Sequence, residues 1–334
     1  MALYGAKIDP TPYVPYEREY VKTQDGGQIA LDWVPLKKQF QNEEDNKNKI
    51  LMIMHGLTGA SNSNYISQLA LFAQKNGYRP VCINMRGYNS QLSNHQLTDF
   101  TKNDDLLITI DHIKQKFPQA NLYAAGISMG ANYLLKMAGQ EQENCKLQAI
   151  VSISNPFDLL KCSYELKKWS KKIYDFNLTK NYIRNLQQNL DIFKQNEQKL
   201  GINLGFYLFQ NKIFIKFQQK KDKILSAKTT EEYHSELTMK LTKHQNLEQM
   251  YTESSCAKYI KDIKVPTLCI NSGDDYVCVP DHIPKDKITQ NPNIIMVMTQ
   301  RGGHIDYFTT YKCQRVYIFF IFFKYILVGI LTSS

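Results

Sequence analysis

The sequence lacks the marks of a secreted protein. Its 334 residues include seven cysteines with no C-x-x-C pair among them, and such an odd, unpatterned set is typical of reduced thiols inside cells. The opening residues, MALYGAKIDPTPYVP, contain neither a basic n-region nor an apolar h-region, so we predict no signal peptide. We therefore expect an intracellular protein that is cytoplasmic or peripherally attached to a membrane.

A recognised nucleic-acid-binding module is also missing, although the formal net charge is +10. The positive charge is local. Between Lys161 and Lys228, 15 Lys or Arg stand against 5 Asp or Glu, while the rest of the chain is balanced at 26 against 26. We expect no nucleic-acid partner. Two interpretations of the basic region stay open: a solvated lysine-rich helical face, or an attraction for anionic lipid headgroups or acidic substrate groups.

Strand and helix patterns alternate along most of the chain. Alternating segments around Asp25-Gly26-Gly27 predict a β-hairpin. Apolar strands such as KILMIM then alternate with amphipathic helices such as DDLLITIDHIKQKF, which predicts a mostly parallel sheet with helices on both faces. The alternation stops after Pro156 and resumes at VPTLCINSGDD. The predicted units are a first core part over 16–156, a helical lid insertion over 157–255 and a second core part over 256–315.

An apolar segment, VYIFFIFFKYILVGIL, lies between Val316 and Leu331, within a tail over 316–334. It is shorter than the about 20 apolar residues that a spanning helix needs, and a central Lys324 costs roughly 3 kcal/mol on insertion. Three interpretations stay open: a buried or distorted last helix, contact with a membrane surface, or a sequence that does not represent the native end.

The stretch YAAGISMGANYLL places Ser128 between Gly126 and Gly130. The residues before the serine read as a short buried strand, and apolar residues recur at helical spacing after it. A serine on a sharp strand-to-helix turn needs small neighbours two positions away, because strand and helix crowd there. The pattern predicts a nucleophile at Ser128, which requires a base and a group that orients the base.

The histidine that best fits the base is His304. It follows the last predicted strand, and the two glycines before it in RGGHIDYF allow the backbone to turn toward the serine. For the orienting carboxylate, CINSGDDYVCVP offers Asp274 and Asp275 at the carboxyl end of the preceding strand. We favour Asp274, which comes first after the Gly273 turn, and Asp275 stays open as the neighbouring alternative.

Backbone amides near the serine are expected to stabilise the negative charge of a tetrahedral intermediate. The stretch MHGLTGAS follows a predicted strand, and its His55-Gly56 turn predicts the Leu57 amide as one donor. The Met129 amide, at the start of the helix after Ser128, is the predicted second donor. His55 is expected to organise its loop rather than to react. We expect no cofactor and no metal.

Together these motifs resemble the α/β-hydrolase group that includes YheT-type hydrolases, phospholipase-like α/β-hydrolase-domain proteins and fungal medium-chain acyl ester synthase/esterases. The resemblance rests on DGGQIALDW, HGLTGASNSNYI, NMRGYNSQL, AAGISMGANYLLK, SSCAKYIKDIKVPTLCINSGDDYVCVP and GGH, and covers roughly residues 16–160 and 225–306. It implies an α/β-hydrolase fold, with Ser128, Asp274 and His304 as the triad of an esterase or lipase that acts on short- to medium-chain acyl groups.

We expect the protein to cleave a small acyl ester through an acyl-enzyme on Ser128. Acyl transfer to an alcohol is the near alternative, because water and alcohols compete for the same acyl-enzyme. A non-catalytic lipid-binding protein that retains the fold is the alternative from another class. The insertion is expected to supply the acyl pocket, and its candidate lining residues are Tyr174, Phe176, Phe206 and Tyr207. The sequence does not determine the oligomeric state.

Overall fold

An eight-stranded sheet forms the centre of the molecule, which a computed structural model describes over residues 11–35, 49–202 and 223–305. The strands are β1 (Glu17–Lys22), β2 (Gln28–Trp33), β3 (Lys49–Met54), β4 (Arg79–Asn84), β5 (Asn121–Ile127), β6 (Ala149–Ile153), β7 (Thr267–Ser272) and β8 (Ile294–Thr299). Their order across the sheet is β1-β2-β4-β3-β5-β6-β7-β8. The β1–β2 and β2–β4 pairs are antiparallel, and the other pairs are parallel. The carboxyl ends of β3 to β8 therefore meet at one edge.

Helices connect most of the strands. The helices that belong to the sheet layer are α1 (Asn64–Lys75), α2 (Asp104–Lys116), α3 (Met129–Glu141) and, between β7 and β8, α11 (Lys285–Thr289). Among the described residues between β6 and β7, the α-helices are α4 (Leu159–Leu166), α5 (Lys172–Gln188), α6 (Leu190–Lys194), α7 (Glu197–Leu200), α8 (Thr230–Tyr233), α9 (Met239–Thr242) and α10 (Leu247–Ser254). The short helix α11 is the one element of the sheet layer that the sequence patterns do not predict.

The helices cover both faces of the sheet, because successive strand residues point to opposite sides. On one face, Ile110 of α2 and Leu134 of α3 share a buried cluster with Met52 of β3. On the other face, Leu69 of α1 shares a second cluster with Ile53. Burial on both faces explains apolar runs such as KILMIM. The predicted mostly parallel sheet with helices on both faces is confirmed.

The insertion between β6 and β7 builds a smaller core of its own. Leu186, Phe193 and Leu237 are buried there, and Leu57, from the loop after β3, packs against the same cluster. A hydrogen bond also joins the insertion to the loop after β4, since the side-chain amide oxygen of Asn189 accepts from the backbone N–H of Leu92 at 2.8 Å. The insertion therefore lies against the edge where the parallel strands end.

Several sequence predictions fall outside the described residues. These are the tail segment over 316–331, Phe206, Tyr207 and Cys313. Within the described ranges, no helix is both long and apolar enough to cross a membrane. The six cysteines in those ranges are free thiols.

Gly126 lies where β5 meets the first turn of α3, and a Cβ at this position would lie 2.6 Å from backbone atoms of Ala131 and Gly130. We expect Gly126→Ala to lower the free energy of unfolding by about 2–3 kcal/mol, because relief requires α3 to move away from the sheet. Gly273→Ala is the control, since its Cβ would meet nothing closer than the Thr299 carbonyl oxygen at 3.4 Å. Urea unfolding of both variants measures the difference, and equal losses would contradict the crowding argument.

Candidate active site

Ser128 occupies the turn between β5 and α3. Its backbone has φ 54° and ψ −118°, a conformation that costs a non-glycine residue of order 1–3 kcal/mol. The Ser128 amide donates to the Ile153 carbonyl at 2.8 Å, and the Ser128 carbonyl accepts from the amides of Ala131 and Asn132. The turn is therefore held from β6 on one side and from α3 on the other.

The second glycine of the motif also has a packing role. A Cβ on Gly130 would lie 2.6 Å from the His55 carbonyl oxygen and 2.7 Å from that of Met54. The first turn of α3 thus lies directly against the end of β3. This contact brings the loop after β3 beside Ser128, where a Cβ on Gly56 would lie 3.1 Å from the serine Cβ.

His304 links the serine to a carboxylate. Its Nε2 accepts from Ser128 Oγ at 2.9 Å, and its Nδ1–H donates to Asp275 Oδ2 at 2.9 Å. The second Asp275 oxygen accepts from the backbone amides of Val277 and Cys278 at 2.8 and 2.9 Å. All three side chains of this chain of hydrogen bonds are buried. The structure brings the predicted Ser128 and His304 together.

The structure corrects the predicted carboxylate, because Asp275 and not Asp274 contacts the imidazole. The Asp274 side chain accepts from the amides of Gly302 and Gly303 at 2.9 and 2.8 Å, and from the Ser272 hydroxyl. Burial opposes ionisation of Asp274, but these hydrogen bonds outweigh it and lower its pKa. The first aspartate after Gly273 turns toward the backbone that carries His304, and the second reaches the ring.

His55 holds the loop after β3 in place. Its Nδ1–H donates to the Gly56 carbonyl at 2.7 Å, and its Nε2 accepts from the Met85 amide at 3.1 Å. Burial lowers the pKa of His55 to about 4. The ring is neutral at pH 7 and joins the ends of β3 and β4, in agreement with the loop-organising role expected from the sequence.

The residues that carry the two predicted amide donors line the same cavity as the serine. Leu57 and Met129 both line the cavity into which Ser128 opens. Met129 is the first residue of α3, and an amide at that position has no acceptor within its own helix. The positive end of the helix dipole also lies there. A negatively charged oxygen bound at this point would meet favourable electrostatics.

A cavity of about 350 Å³ lies between Ser128 and the insertion. Its floor includes Ser128, Met129 and His304, and its walls come from the insertion and from the loops after β3 and β4. The lining residues that the insertion supplies include Leu159, Leu166, Tyr174, Leu178, Tyr182, Tyr233, His234, Met250 and Tyr251. The sequence patterns anticipate only Tyr174 among these.

Burial keeps the insertion's side of the cavity neutral. It raises the pKa of the Tyr174, Tyr182 and Tyr233 hydroxyls well above the usual range, and it lowers the pKa of His234 to about 4. Phe176, which was also expected in the acyl pocket, is exposed instead. It lies two positions from Tyr174 on α5, so the two side chains leave the helix on different faces.

Asp275 and His304, together with the buried Cys278 beside them, have atoms of the kinds that bind metals. Among the described residues, donor atoms of Asp275, Cys278 and His304 lie within 4.8 Å of one another. The donors are already engaged, since the Cys278 thiol donates to the Ser154 carbonyl and Asp275 binds His304 Nδ1. Burial also raises the pKa of Cys278 well above its usual value, which opposes the thiolate that metals bind. The trio fits the hydrogen-bond chain better than a metal site.

The fold and the site define a class of protein. The family described as alpha/beta hydrolase fold matches residues 49–311, and the chain belongs to this family. The resemblance drawn from the sequence is thereby confirmed.

Individual relatives are similar over most of the chain. Phospholipase ABHD3 of Bos taurus is 30% identical over 302 residues, which span 90% of this chain and 68% of that protein. Medium-chain fatty acid ethyl ester synthase/esterase 2 of Saccharomyces cerevisiae is 28% identical and aligns with 87% of this chain and 75% of its own length. The solved structure of the Pyrococcus furiosus esterase Pf2001 superposes with a TM-score of 0.55 at 14% identity, covering 96% of this chain and 91% of that chain. The last comparison shows a shared fold.

The two neighbouring aspartates make a matched pair for mutation. We expect Asp275→Asn to lower kcat on a soluble ester by about 10³- to 10⁴-fold, because an amide in place of the carboxylate favours the wrong tautomer of His304. Asp274→Asn should cost less than about tenfold, since its amide oxygen still accepts from Gly302 and Gly303.

Steady-state kinetics of both variants, with thermal unfolding as the check on folding, measure this difference. A larger loss of kcat in Asp274→Asn would return the orienting role to Asp274.

Proposed function

We propose that the protein is a serine carboxylester hydrolase in which Ser128 is the nucleophile, His304 the base and Asp275 the residue that orients the base. The observation that carries this proposal is the continuous hydrogen-bond chain from Asp275 through His304 to Ser128, which ends at a largely apolar cavity. Membership of a hydrolase family with lipase and esterase relatives supports it.

The proposed reaction begins with attack of Ser128 Oγ on the carbonyl carbon of the ester. The hydroxyl proton passes to His304 Nε2, and the Asp275 carboxylate stabilises the imidazolium that forms. The carbonyl oxygen becomes an oxyanion, for which the Leu57 and Met129 amides are the proposed donors. An electron pair of the oxyanion then re-forms the C=O bond, the ester C–O bond breaks, and the leaving alcohol oxygen takes the proton from His304 Nε2.

Water completes the proposed cycle. His304 Nε2 takes a proton from the water as the water oxygen attacks the carbonyl carbon of the acyl-enzyme. The second tetrahedral intermediate then collapses, the bond between that carbon and Ser128 Oγ breaks to release the acid, and His304 returns the proton to Ser128 Oγ. An alcohol in place of water would give a new ester by the same steps. The Saccharomyces cerevisiae relative carries both synthase and esterase in its name. The ratio of free acid to ethyl ester formed in the presence of added ethanol measures how the acyl-enzyme divides between the two reactions.

The proposed substrate is a short- to medium-chain, lipid-like acyl ester. The support comes from the cavity, whose wall on the side of the insertion is apolar, aromatic and kept neutral by burial. An acyl chain gains about 0.8 kcal/mol for each methylene that it buries. A charged acyl group would lose its hydration without finding a partner on that wall.

Covalent labelling tests the nucleophile. We expect a fluorophosphonate to label the wild-type protein at Ser128 and to leave Ser128→Ala unlabelled, because the phosphonylated oxygen is then missing. Ser163→Ala is the matched control, since Ser163 lines the same cavity but donates to the Leu160 carbonyl. Intact mass spectrometry reads the adduct. Labelling of Ser128→Ala would reject the assignment and indicate another nucleophile, whereas an unlabelled wild type would favour a non-catalytic protein.

A series of p-nitrophenyl esters tests the substrate class. We expect kcat/KM to rise from acetate, by up to about fourfold per buried methylene, to an optimum of roughly eight carbons, a length that the family resemblance suggests.

Leu178→Trp, which fills part of the cavity, should shorten the optimum, whereas Phe176→Trp, on the exposed face of the same helix, should not. Acetate as the best substrate of the wild type would refute the lipid-ester proposal even if Ser128 is labelled.

A further inference from the structure

The outer surface of α4, α5 and the turn between them has an unusual composition. Ten residues between 161 and 180 are exposed, and apart from Ser170 each is a lysine or a large apolar or aromatic residue. We call these nine residues the lid patch: Lys161, Tyr164, Lys167, Lys168, Trp169, Lys172, Ile173, Phe176 and Lys180. Solvated helix faces rarely expose a tryptophan and an isoleucine together.

The apolar members of the lid patch are exposed to different degrees and lie close together in sequence. Trp169 is 84% exposed and Ile173 75% exposed, against 51% for Tyr164 and 40% for Phe176. Trp169 lies on the single helical turn that leads into α5, and Ile173, Phe176 and Lys180 follow at spacings of three and four residues. Such spacing places them on one face of the helix.

The charge of the lid patch has one sign. The two acidic residues of the 161–180 segment are both buried. Glu165 accepts from Lys171 Nζ at 2.8 Å and also from Lys168, and Asp175 accepts from the Thr230 amide and hydroxyl. The exposed lysines therefore set the outward charge of this segment. Lys161 pairs with Asp158 and Lys167 with Glu231, both outside this segment, and Lys168 pairs with Glu165. Within the described ranges, Lys172 and Lys180 form no ion pair.

The lysines and the aromatic rings of the lid patch are in contact. Lys167 Nζ lies 5.6 Å from the centre of the Tyr164 ring, and Lys180 Nζ lies 4.5 Å from that of Phe176. Aromatic and aliphatic side chains that reach into the headgroup layer, with lysines beside them at the phosphates, form the usual chemistry of an interfacial helix.

We propose that the lid patch docks the protein on a bilayer that contains anionic lipid. Charge complementarity selects this partner, because a surface with five exposed lysines and the protruding Trp169 and Ile173 matches anionic headgroups above an apolar interior. The opposite faces of the same helices line the cavity through Leu166 and Leu178. Docking would therefore place the cavity wall next to the lipid. The proposal concerns binding alone and does not depend on Ser128 acting as a nucleophile.

The two tryptophans of the chain make the test direct. Trp33 is 3% exposed and donates to Glu19, whereas Trp169 is 84% exposed. We expect vesicles of phosphatidylcholine with 30% phosphatidylserine (about a third anionic lipid) to shift the tryptophan emission of the full chain to the blue. Trp169→Ser should remove the shift, because the remaining Trp33 is already buried.

Vesicle sedimentation supplies the second readout. We expect Trp169→Ser/Ile173→Ser to weaken binding to the anionic vesicles at least tenfold, with a similar loss in Lys172→Glu/Lys180→Glu and in raised salt. Tyr13→Ser is the matched control, since Tyr13 is 86% exposed but lies outside the insertion, and it should bind as the wild type does. Hydrolysis of p-nitrophenyl butyrate in the absence of vesicles should be unchanged in the lid-patch variants, which separates docking from chemistry.

Three results would overturn the proposal. Unchanged binding in Trp169→Ser/Ile173→Ser would assign membrane attachment to another part of the chain, such as the segment over 316–331. Equal binding to neutral and anionic vesicles would remove the role of the lysines. A dimer in sedimentation that depends on Trp169, without vesicle binding, would make a second copy of the chain the occupant of the patch.

Discussion

The strained backbone of Ser128 is the constraint on which the rest of the site depends. A residue with φ 54° and ψ −118° between a strand and a helix stays in place only because its surroundings overdetermine it. The Ile153 carbonyl holds its amide, and the crowding at Gly126 and Gly130 holds α3 against β5 and β3. The strain projects the hydroxyl away from the sheet, toward the edge where the loops after β3, β7 and β8 converge.

The neighbouring carboxylates of Asp274 and Asp275 position His304 in different ways. Asp274 binds the backbone amides of the glycines before the histidine, and Asp275 binds the imidazole. One residue thus sets where the loop runs and the other sets how the ring is turned. The amides of Val277 and Cys278 hold Asp275 in turn. The geometry at Ser128 therefore depends on the loop after β7, which binds both the backbone of the loop after β8 and its His304 side chain.

Most of the candidate site can be predicted from short, contiguous sequence patterns. The G-x-S-x-G turn, the strand before it and the helix after it are contiguous, and they set Ser128, Gly126 and Gly130 without long-range information. The choice between Asp274 and Asp275 depends on how the chain leaves β7 relative to a loop about 30 residues later, which no local pattern encodes. The orientation of the insertion's helices is also not encoded locally. Both faces of α5 carry large residues, with Tyr174 and Leu178 inward and Ile173 and Phe176 outward, so its helical phase could not be read from hydrophobicity.

The same helices carry opposite chemistry on their two faces, and packing explains how both persist. The inner tyrosines and His234 are neutral because burial penalises their charged forms, so the cavity wall needs no counter-charges. The outer lysines keep their hydration, and the only acids of that segment turn inward to Lys171 and Thr230. A helix is about 10–12 Å thick with its side chains, so a cationic surface and a neutral cavity lie within one helix diameter of each other. A lipid-like ester also joins a polar headgroup to an apolar acyl chain. The arrangement suits such a substrate, because its headgroup and its acyl chain would lie in different environments only that distance apart.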